Sequence, residues 1–346
     1  MNQKPTIKDV AARVGCGVAT ASRALNGSGP VSPATLKKVQ AAAEDLGFSF
    51  NALGRALRNS RTLTIGCLVP SLANPVFADA VHGIQQALQS SGYQLLLACS
   101  NYSAEQDDLA IRMLLDKQVD AIIMTLADPA KLPTLSAIKR RGLPVQLMFN
   151  TPLPGIGSTH VDNNGAARRV AAEFAQAGHH ETAFLALEFR SSDRSRQRFE
   201  GFSGGCVTHG MQAPALMEIE EGIGRLADRL RALLAQNPRI TGIFASNDFL
   251  AIALMQAARA IGLRVPRDLS IIGFDGIEIG QLLDPTLATV ETNPQEMGRD
   301  AARNILRALT QRAPEPQLPL PFRFRPGGSF APLGRADKVQ PISQRF

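Results

Sequence analysis

The sequence predicts an α/β protein in two parts: a small three-helix head that contains a helix-turn-helix, and a larger body of two parallel-sheet α/β halves. Three observations predict this organisation. Apolar residues recur at helical spacing around a glycine turn near the N-terminus, basic residues concentrate in the same segment, and strand-like and helix-like segments alternate from Leu63 onward. The chain has 346 residues, 45% of them hydrophobic, which is enough for two or three domains with their own cores.

The head begins with two short helices separated by the turn Gly15-Cys-Gly17. The first helix repeats its apolar residues at one-face spacing, at Ile7, Val10, Ala11 and Val14. The second helix, Val18 to Leu25, buries Ala21 and Leu25 and shows small, hydroxyl, amide and Arg side chains on its other face. Such a face suits the major groove of DNA, because small residues allow close approach while Arg and Asn reach base edges or phosphates.

A third helix completes the head and the charge distribution supports the same function. Ser32-Pro33 is a typical helix start, and the helix is expected to reach Leu46 and to end at Gly47. Residues 1–61 carry nine Lys and Arg against three Asp and Glu, so the segment holds +6 of the chain's net charge of +7. A basic head on a near-neutral body is what contact with a phosphate backbone requires.

The head resembles the DNA-binding domain of the lactose/galactose repressor (LacI/GalR) family in three segments, TIKDVA, TxSRxLNG and VSPATLKKV, and the match continues through NALGRAL, which starts at Asn51. The resemblance continues along nearly the whole chain. It implies that Val18 and Ala19 select the operator sequence, that Arg23 contacts a base and that Ser22 contacts a phosphate. The full set of expected DNA-contacting residues is Thr6, Val18, Ala19, Thr20, Ser22, Arg23, Asn26, Asn51 and Leu57.

Residues 51–61 are expected to form a hinge between the head (1–50) and the body (62–330). The segment is too short, and too weakened by Gly54, to be helical by itself. In the family the matching segment folds on operator DNA and inserts a Leu into the minor groove, and Leu57 holds that position here. The alternative is that Leu57 packs against the body. Phe50 stands where the family usually has Pro, so this hinge lacks a preset backbone angle.

The body alternates strands with helices, which predicts parallel sheets covered by helices. Strands are expected at 63–70, 94–99, 121–125, 145–149, 182–187, 216–219, 240–246, 269–275 and 322–325. Helices are expected at 75–91, 104–117, 132–141, 165–177, 195–208, 225–235, 249–261 and 294–309. The resemblance implies the periplasmic-binding-protein-like fold, with chain crossovers near 161, 291 and 322. Residues 331–346 are rich in Pro and charge and are expected to be disordered.

Ligands of parallel sheets bind beyond the carboxyl ends of the strands, so polar residues there are candidates for an effector site. The family resemblance assigns effector contact to Arg198 in R-F-E-G-F, to Asn247 in an Asn-Asp pair and to Asp275 in G-F-D. Gly276 replaces a second Asp usual in the family. The whole expected set is Asn74, Phe77, Asn101, Thr125, Arg198, Asn247 and Asp275. For loop residues such as Asn101, turn formation is an equal alternative.

Other functional classes fit less well. Gly201-Phe-Ser-Gly-Gly205 spells the G-x-S-x-G of hydrolases, but helix-like sequence precedes it and no partner His is identifiable. The four cysteines are scattered and His179-His180 is interpreted as a solvated turn, so no metal site and no cofactor are expected. A solute-binding protein is disfavoured by the helix-turn-helix and by the absence of a signal-peptide core, and a cytoplasmic protein without a membrane span is expected.

The expected partners are double-stranded operator DNA, a small polar effector and a second copy of the chain. A dimer follows from one head reading one half-site, and the C-terminal residues lack a leucine heptad for a tetramer. A sugar or sugar acid is the favoured effector, and VPSLANPVFADAVHGI resembles gluconate-type repressors. A purine-type co-repressor is the alternative. Whether the effector releases or tightens DNA binding stays open.

Overall fold

The computed structural model describes residues 5–26, 29–48, 61–220, 224–310 and 318–334. The chain divides into two units, residues 1–63 and residues 64–346. Asn51 and Leu57, the expected hinge contacts, lie outside the described residues.

The head is a bundle of three helices: α1 (Ile7–Val14), α2 (Val18–Asn26) and α3 (Pro33–Asp45). The carboxylate of Asp9 accepts hydrogen bonds from the backbone N–H and the hydroxyl of Thr6, both at 2.7 Å, which hold its pKa below the usual range and fix the start of α1. Ser32 caps α3 by accepting from the N–H of Thr35 at 3.2 Å. The core of the head consists of Val10, Ala11, Ala21, Ala24, Val39, Ala42 and Ala43. Small core side chains bring the helices close together and leave one face of α2 outside.

The first half of the body is a five-stranded parallel sheet in the order β2-β1-β3-β4-β5. Its strands are β1 (Thr64–Val69), β2 (Gln94–Cys99), β3 (Ala121–Met124), β4 (Val145–Met148) and β5 (Gly157–Thr159). Its helices are α4 (Pro75–Leu88), α5 (Ala104–Asp116) and α6 (Leu135–Arg140). Strands β1, β3 and β4 are almost wholly buried, as is typical of a parallel sheet covered by helices on both faces.

The second half is a six-stranded sheet in the order β11-β10-β9-β8-β6-β7, parallel except for β11. Its strands are β6 (Thr182–Leu187), β7 (Ala215–Ile219), β8 (Gly242–Ala245), β9 (Ser270–Asp275), β10 (Ala288–Glu291) and β11 (Arg323–Arg325). The helices of this part of the chain are α7 (Asn163–Gln176), α8 (Asp193–Thr208), α9 (Leu226–Gln236), α10 (Asp248–Ala260) and α11 (Pro294–Leu309).

The chain passes between the two sheets three times: between β5 and α7, between β10 and α11, and between α11 and β11. Helix α11 follows a strand of the second sheet but packs on α4 of the first half. Residues from the carboxyl ends of both sheets line one cavity between the halves. Among the described residues, none of the helices combines the length and the apolar character that a bilayer span needs.

Three sequence predictions differ from the structure. Strands β5 and β10 were not predicted, because three or four residues are too few to show a periodicity. Disorder from Ala331 is wrong for residues 331–334: Ala331 donates to Ser270 Oγ at 3.2 Å, and the N–H of Leu333 donates to the carbonyl of Ala177 at 2.9 Å.

The interpretation of His179 as part of a solvated turn is also wrong. Its ring is 1% exposed, with Nδ1 at 2.8 Å from Thr241 Oγ1 and Nε2 at 3.1 Å from the carbonyl oxygen of Ala331. Because a carbonyl only accepts, Nε2 carries the proton and Nδ1 accepts from the hydroxyl. The hydrogen bonds of the ring therefore link the C-terminal segment to the second sheet.

Candidate functional site

The outward face of α2 carries the side chains predicted to contact DNA. Val18 is 43% exposed, Ala19 and Arg23 are exposed, and Ser22 and Asn26 are half-buried. Thr20, on the same side of the helix, is half-buried as well. The face is therefore a shallow surface of small side chains with one long cation, which matches the shape and charge of a groove-reading helix.

Three hydrogen bonds hold side chains of this face along α2. Arg23 donates weakly, at 3.4 Å from Nε to the carbonyl of Ala19 and at 3.5 Å from Nη2 to the hydroxyl of Thr20. Asn26 Nδ2 donates to the hydroxyl of Ser22 at 3.2 Å. These hydrogen bonds are long and open to solvent. Replacing them with contacts to bases or phosphates therefore costs little free energy.

The body contains an inner cavity between the carboxyl ends of the two sheets. Its walls are Asn74, Val76, Phe77, Tyr102, Phe149, Leu187, Ser192, Arg194, Ser195, Arg198, Asn247 and Asp275. Five of the seven predicted effector residues are in this set. The cavity holds about 30 Å³, room for one or two water molecules, so the cleft is closed in this structure. An outer cavity of about 510 Å³ adjoins it and shares Tyr102 and Leu187.

Arg198 is fixed in the inner cavity by four partners. Its Nε donates to Asn163 Oδ1 at 2.8 Å, and its Nη1 donates to the carbonyl of Ser246 and lies 3.7 Å from Asp275 Oδ1. Its Cζ lies 3.5 Å above the ring of Phe274, a cation–π contact. Burial lowers the pKa of the guanidinium to about 10, and the charge of Asp275 counteracts that shift, so the group is a cation at neutral pH.

Asp275 presents a buried carboxylate at the end of β9. Burial raises its pKa to about 6, while Arg198 and then Arg194 work in the opposite direction. Its backbone carbonyl accepts from the N–H and the hydroxyl of Thr292, both at 3.0 Å. Its φ of +117° departs from strand geometry. A carboxylate and a guanidinium side by side are suited to paired hydroxyl groups of a ligand.

Asp248 lies behind Asp275 and holds the turn after β9. Its Oδ2 accepts from the N–H groups of Gly276 and Ile277 at 2.8 and 2.9 Å, and its Oδ1 accepts from the hydroxyl of Thr289 at 2.6 Å. Burial, followed by the charge of Asp275, raises the pKa of Asp248, while the three hydrogen bonds that it accepts work in the opposite direction.

The structure explains the glycine at position 276, where the family usually has Asp. Gly276 has φ +84°, and a Cβ there would lie 2.7 Å from Glu291 Cγ and 2.8 Å from its Cα. Neither the backbone conformation nor the space accepts a side chain. The neighbouring loop therefore contributes its backbone, and no second carboxylate, to this end of the cleft.

Aromatic and amide side chains complete the cavity wall. The Phe77 ring meets Phe149 edge-on at 5.2 Å and Tyr102 at 6.3 Å between centroids. Asn74 and Asn247 cap α4 and α10 through their side-chain oxygens, at 3.3 and 2.8 Å. Each cap uses the carbonyl oxygen, so the two NH₂ groups remain as donors for a ligand.

Two predicted effector residues stand apart from the inner cavity. The hydroxyl of Thr125 is fully buried and donates to the carbonyl of Met148 at 2.9 Å, which joins β3 to β4. Asn101 lines the outer cavity, in a turn with φ +50°. In both cases the sequence placed the residue correctly after a strand but could not predict which way the side chain points.

A seam of hydrogen bonds closes the cleft between the halves. The N–H of Asp193 donates to the carbonyl of Ala127 at 2.8 Å, and Arg194 Nη1 donates to the carbonyl of Leu126 at 2.8 Å. Asn150 Nδ2 donates to Asp193 Oδ1 at 2.9 Å. Each bond joins the first half of the body to the start of α8.

The chain resembles known proteins in both its head and its body. Residues 6–51 match the profile of bacterial regulatory proteins of the lacI family, and residues 171–330 match a periplasmic-binding-protein-like domain. The chain is 32% identical to the HTH-type transcriptional regulator GntR of Escherichia coli K12, over 95% of this chain and 99% of the relative. The chain belongs to the lacI family.

Other LacI-family proteins resemble the chain over similar lengths. It is 30% identical to the HTH-type transcriptional repressor PurR of Photobacterium profundum, over 89% of this chain and 92% of that one. The lac repressor dimer bound to operator and the anti-inducer ONPF has the same fold, with a TM-score of 0.85 at 22% identity, over 95% of this chain and 100% of the other.

Membership of the LacI family makes the chain a DNA-binding transcriptional regulator and not an enzyme. The hydrolase-like motif agrees with this, because Ser203 lies inside α8 and not on a strand-to-helix turn. Within the described residues no cluster of three or more His, Cys, Asp or Glu could hold a metal ion.

The sequence predicts that the stretch from Arg190 to Arg198 lies at the cleft, but within it only Arg198 was singled out as an effector contact, and Leu187 was not predicted as a cavity residue. Arg194 is 5% exposed although it is a cation in a segment rich in charge. One signal was present in the sequence: Arg194 and Arg198 are four positions apart, so a helix through both places them on the same face.

Proposed function

We propose that the chain is a repressor that binds a two-fold symmetric operator as a dimer and is switched by a small polyhydroxylated effector, a sugar or sugar acid, in the cleft. The observation that supports the effector class is the pairing of Arg198 with Asp275 at 3.7 Å in a buried, mixed polar and aromatic cavity. A carboxylate accepts from vicinal hydroxyls, and a guanidinium donates to a ring oxygen or an anion.

The head recognises the base sequence of the operator. Val18 and Ala19 face outward at the start of α2, where side-chain exchange alters base contacts without affecting the core. Arg23 supplies a base contact and Ser22 a phosphate contact. Asn51 and Leu57 belong to the same proposal: Leu57 enters a minor-groove step when two hinges meet on the operator.

A dimer follows from the need to read two half-sites, and from the operator-bound dimer of the lac repressor that shares this fold. The closed cleft bears on regulation. Because an inner cavity of about 30 Å³ excludes a sugar, the ligand must enter an opened form of the cleft. The ratio of its affinities for the open and closed forms then sets how far it shifts the equilibrium between them.

The test combines a binding screen with a DNA assay. An operator is first obtained by selection from random double-stranded oligonucleotides. The full-length protein is then screened by thermal shift against sugars, sugar acids and purines, and each ligand found is added to the operator complex in a gel-shift assay. A sugar or sugar acid that stabilises the protein and alters operator binding supports the proposal, and a purine that does so in their place overturns the effector class.

A further inference from the structure

We infer that the effector carries a carboxylate and that Arg194, together with Arg198, forms its binding subsite at the seam of the cleft. This inference rests on the proposed function, since it names the chemical class that the same cleft accepts. The family motifs R-F-E-G-F, Asn-Asp and G-F-D do not include Arg194.

The first observation is that the guanidinium of Arg194 is only partly satisfied. Its Nη1 donates to the carbonyl of Leu126 at 2.8 Å and lies 3.2 Å from Asp193 Oδ1. Its Nε and Nη2 have no acceptor among the residues that the structure describes, although the residue is only 5% exposed and lines the inner cavity. Because Arg194 lines the cavity, these N–H groups can donate to an acceptor that a ligand supplies, and a bond from a guanidinium to an anion is stronger than one between neutral groups.

The second observation is that the guanidinium of Arg198, in the same cavity wall, also has a nitrogen without a hydrogen-bond acceptor among the described residues. Arg198 uses Nε and Nη1 for Asn163, Ser246 and Asp275, and its Nη2 has no hydrogen-bond acceptor among the described residues. The two cations are near enough for Arg194 to contribute to the lowered pKa of Arg198. An oxyanion between them would relieve that repulsion and accept from both groups.

The charged side chains in the cavity wall are two cations, Arg194 and Arg198, and one anion, Asp275. Asp193 lies outside the wall and already accepts from Asn150 and from Arg194 Nη1. A carboxylate is planar and offers two oxygens to the fork of a guanidinium, and titration with hexose phosphates separates it from a phosphate, which offers similar charge-assisted bonds.

The test uses ligands matched in everything except the anion. Full-length protein is titrated calorimetrically with five- and six-carbon aldonates, with the alditols of the same carbon number and stereochemistry, and with hexose 6-phosphates. We expect an aldonate to bind at least tenfold more tightly than its alditol. Arg194→Gln should weaken that aldonate at least tenfold and change alditol binding less than twofold, and Arg194→Lys should restore part of the loss.

Arg196→Gln is the matched control. Arg196 lies two positions along α8, has a 40% exposed side chain, pairs with Asp128 at 3.7 Å and is not in the cavity wall. The same loss of charge there should change aldonate affinity less than threefold. Operator binding and the melting temperature of each ligand-free variant show whether it is folded.

Three results would overturn the carboxylate assignment: equal binding of aldonate and alditol, equal weakening of both by Arg194→Gln, or Arg194-dependent binding of a hexose phosphate in place of any aldonate. A neutral sugar that binds and alters operator affinity would overturn this inference while leaving the proposed function intact. Failure of every sugar, acid and phosphate to bind the wild-type protein would overturn both.

Discussion

Asp248 and Gly276 are joined by a hydrogen bond of 2.8 Å from the N–H of the glycine to Oδ2 of the carboxylate. The same oxygen accepts from Ile277, and the other accepts from Thr289, so three donors converge on one buried side chain. Asp248 thereby fixes the turn that follows Asp275 and sets the direction of the effector-facing carboxylate. It acts through Asp275 and is not itself in the cavity wall.

Asp248→Asn should therefore separate the two activities of the protein. An amide replaces one acceptor oxygen by a donor that faces other donors, and a buried unsatisfied group costs about 1–3 kcal/mol, which displaces the turn. We expect effector affinity to fall tenfold or more and operator affinity without effector to change less than threefold. Asp228→Asn, at a 76% exposed position of α9, is the control and should change neither. Unchanged effector affinity in Asp248→Asn would refute the positioning role.

Gly276→Ala should destabilise the protein more than Gly210→Ala does. Both glycines have positive φ, +84° and +69°, so both variants lose about 1 kcal/mol of stability to backbone strain. Only at Gly276 does the new methyl meet a neighbour, Glu291, whereas Gly210 has open space within 4 Å. We expect an additional loss of about 1–3 kcal/mol in urea unfolding. Equal losses in the two variants would mean that the loop adjusts freely.

His179 should make the stability of the body depend on pH. Burial lowers its pKa to about 4 from an ordinary value near 6.5. Between these values the unfolded chain binds a proton that the folded ring refuses, so the stability present above pH 6.5 is lost as the pH falls towards 4. The largest loss from this group is about 3 kcal/mol, at about 1.4 kcal/mol per pH unit.

The contribution of His179 is measured as the difference in unfolding free energy between wild type and His179→Gln at each pH from 4 to 8. We expect the advantage of the wild type to shrink as the pH falls. His209→Gln, at an exposed histidine, gives the background. A wild-type advantage that is constant with pH would contradict the buried neutral ring.

Arg23→Ala and Ser22→Ala should weaken operator binding in different ways. Loss of a base contact should cost about 1–3 kcal/mol and relax the preference at one base position, whereas loss of a phosphate contact should weaken all sequences alike. Binding-site selection with each variant measures the preference directly. An unchanged preference in Arg23→Ala would mean that α2 docks in another orientation.

Leu57→Ala should lower operator affinity and leave effector affinity in the DNA-free protein unchanged, since a minor-groove wedge acts only on DNA. Anisotropy with labelled operator and calorimetry with the effector measure the two quantities. A fall in effector affinity would favour the alternative that Leu57 packs against the body.

The sequence predicted the parts of the fold that repeat a local pattern. The apolar spacing of α1 and the capped start of α3 fixed the head, and the long buried strands such as β1 and β9 are readable as unbroken apolar runs. The three-residue β5 is not, because it owes its place to its neighbour β4 and not to its own residues.

For the candidate site, the sequence predicted only the residues that belong to recognisable motifs. Asp275 and Arg198 lie together as the family resemblance implies, but the role of Asp248 depends on Gly276 and Thr289, which are 28 and 41 positions away. Contacts of that separation exist only in the folded chain. The burial of Arg194 and of His179 could not be predicted for the same reason, since charge and polarity alone favour a solvated position.

We propose that a ligand in the cleft changes operator affinity through Asp275 and Arg198. The direct measurement is operator affinity by fluorescence anisotropy, with and without saturating effector, for wild type and Asp275→Ala. The wild type should show a shift of about 5- to 150-fold, corresponding to about 1–3 kcal/mol of coupling. Asp275→Ala should show no shift and keep its effector-free operator affinity within threefold. If saturating effector left the operator affinity of the wild type unchanged, or shifted that of Asp275→Ala as much as that of the wild type, coupling through Asp275 would be contradicted.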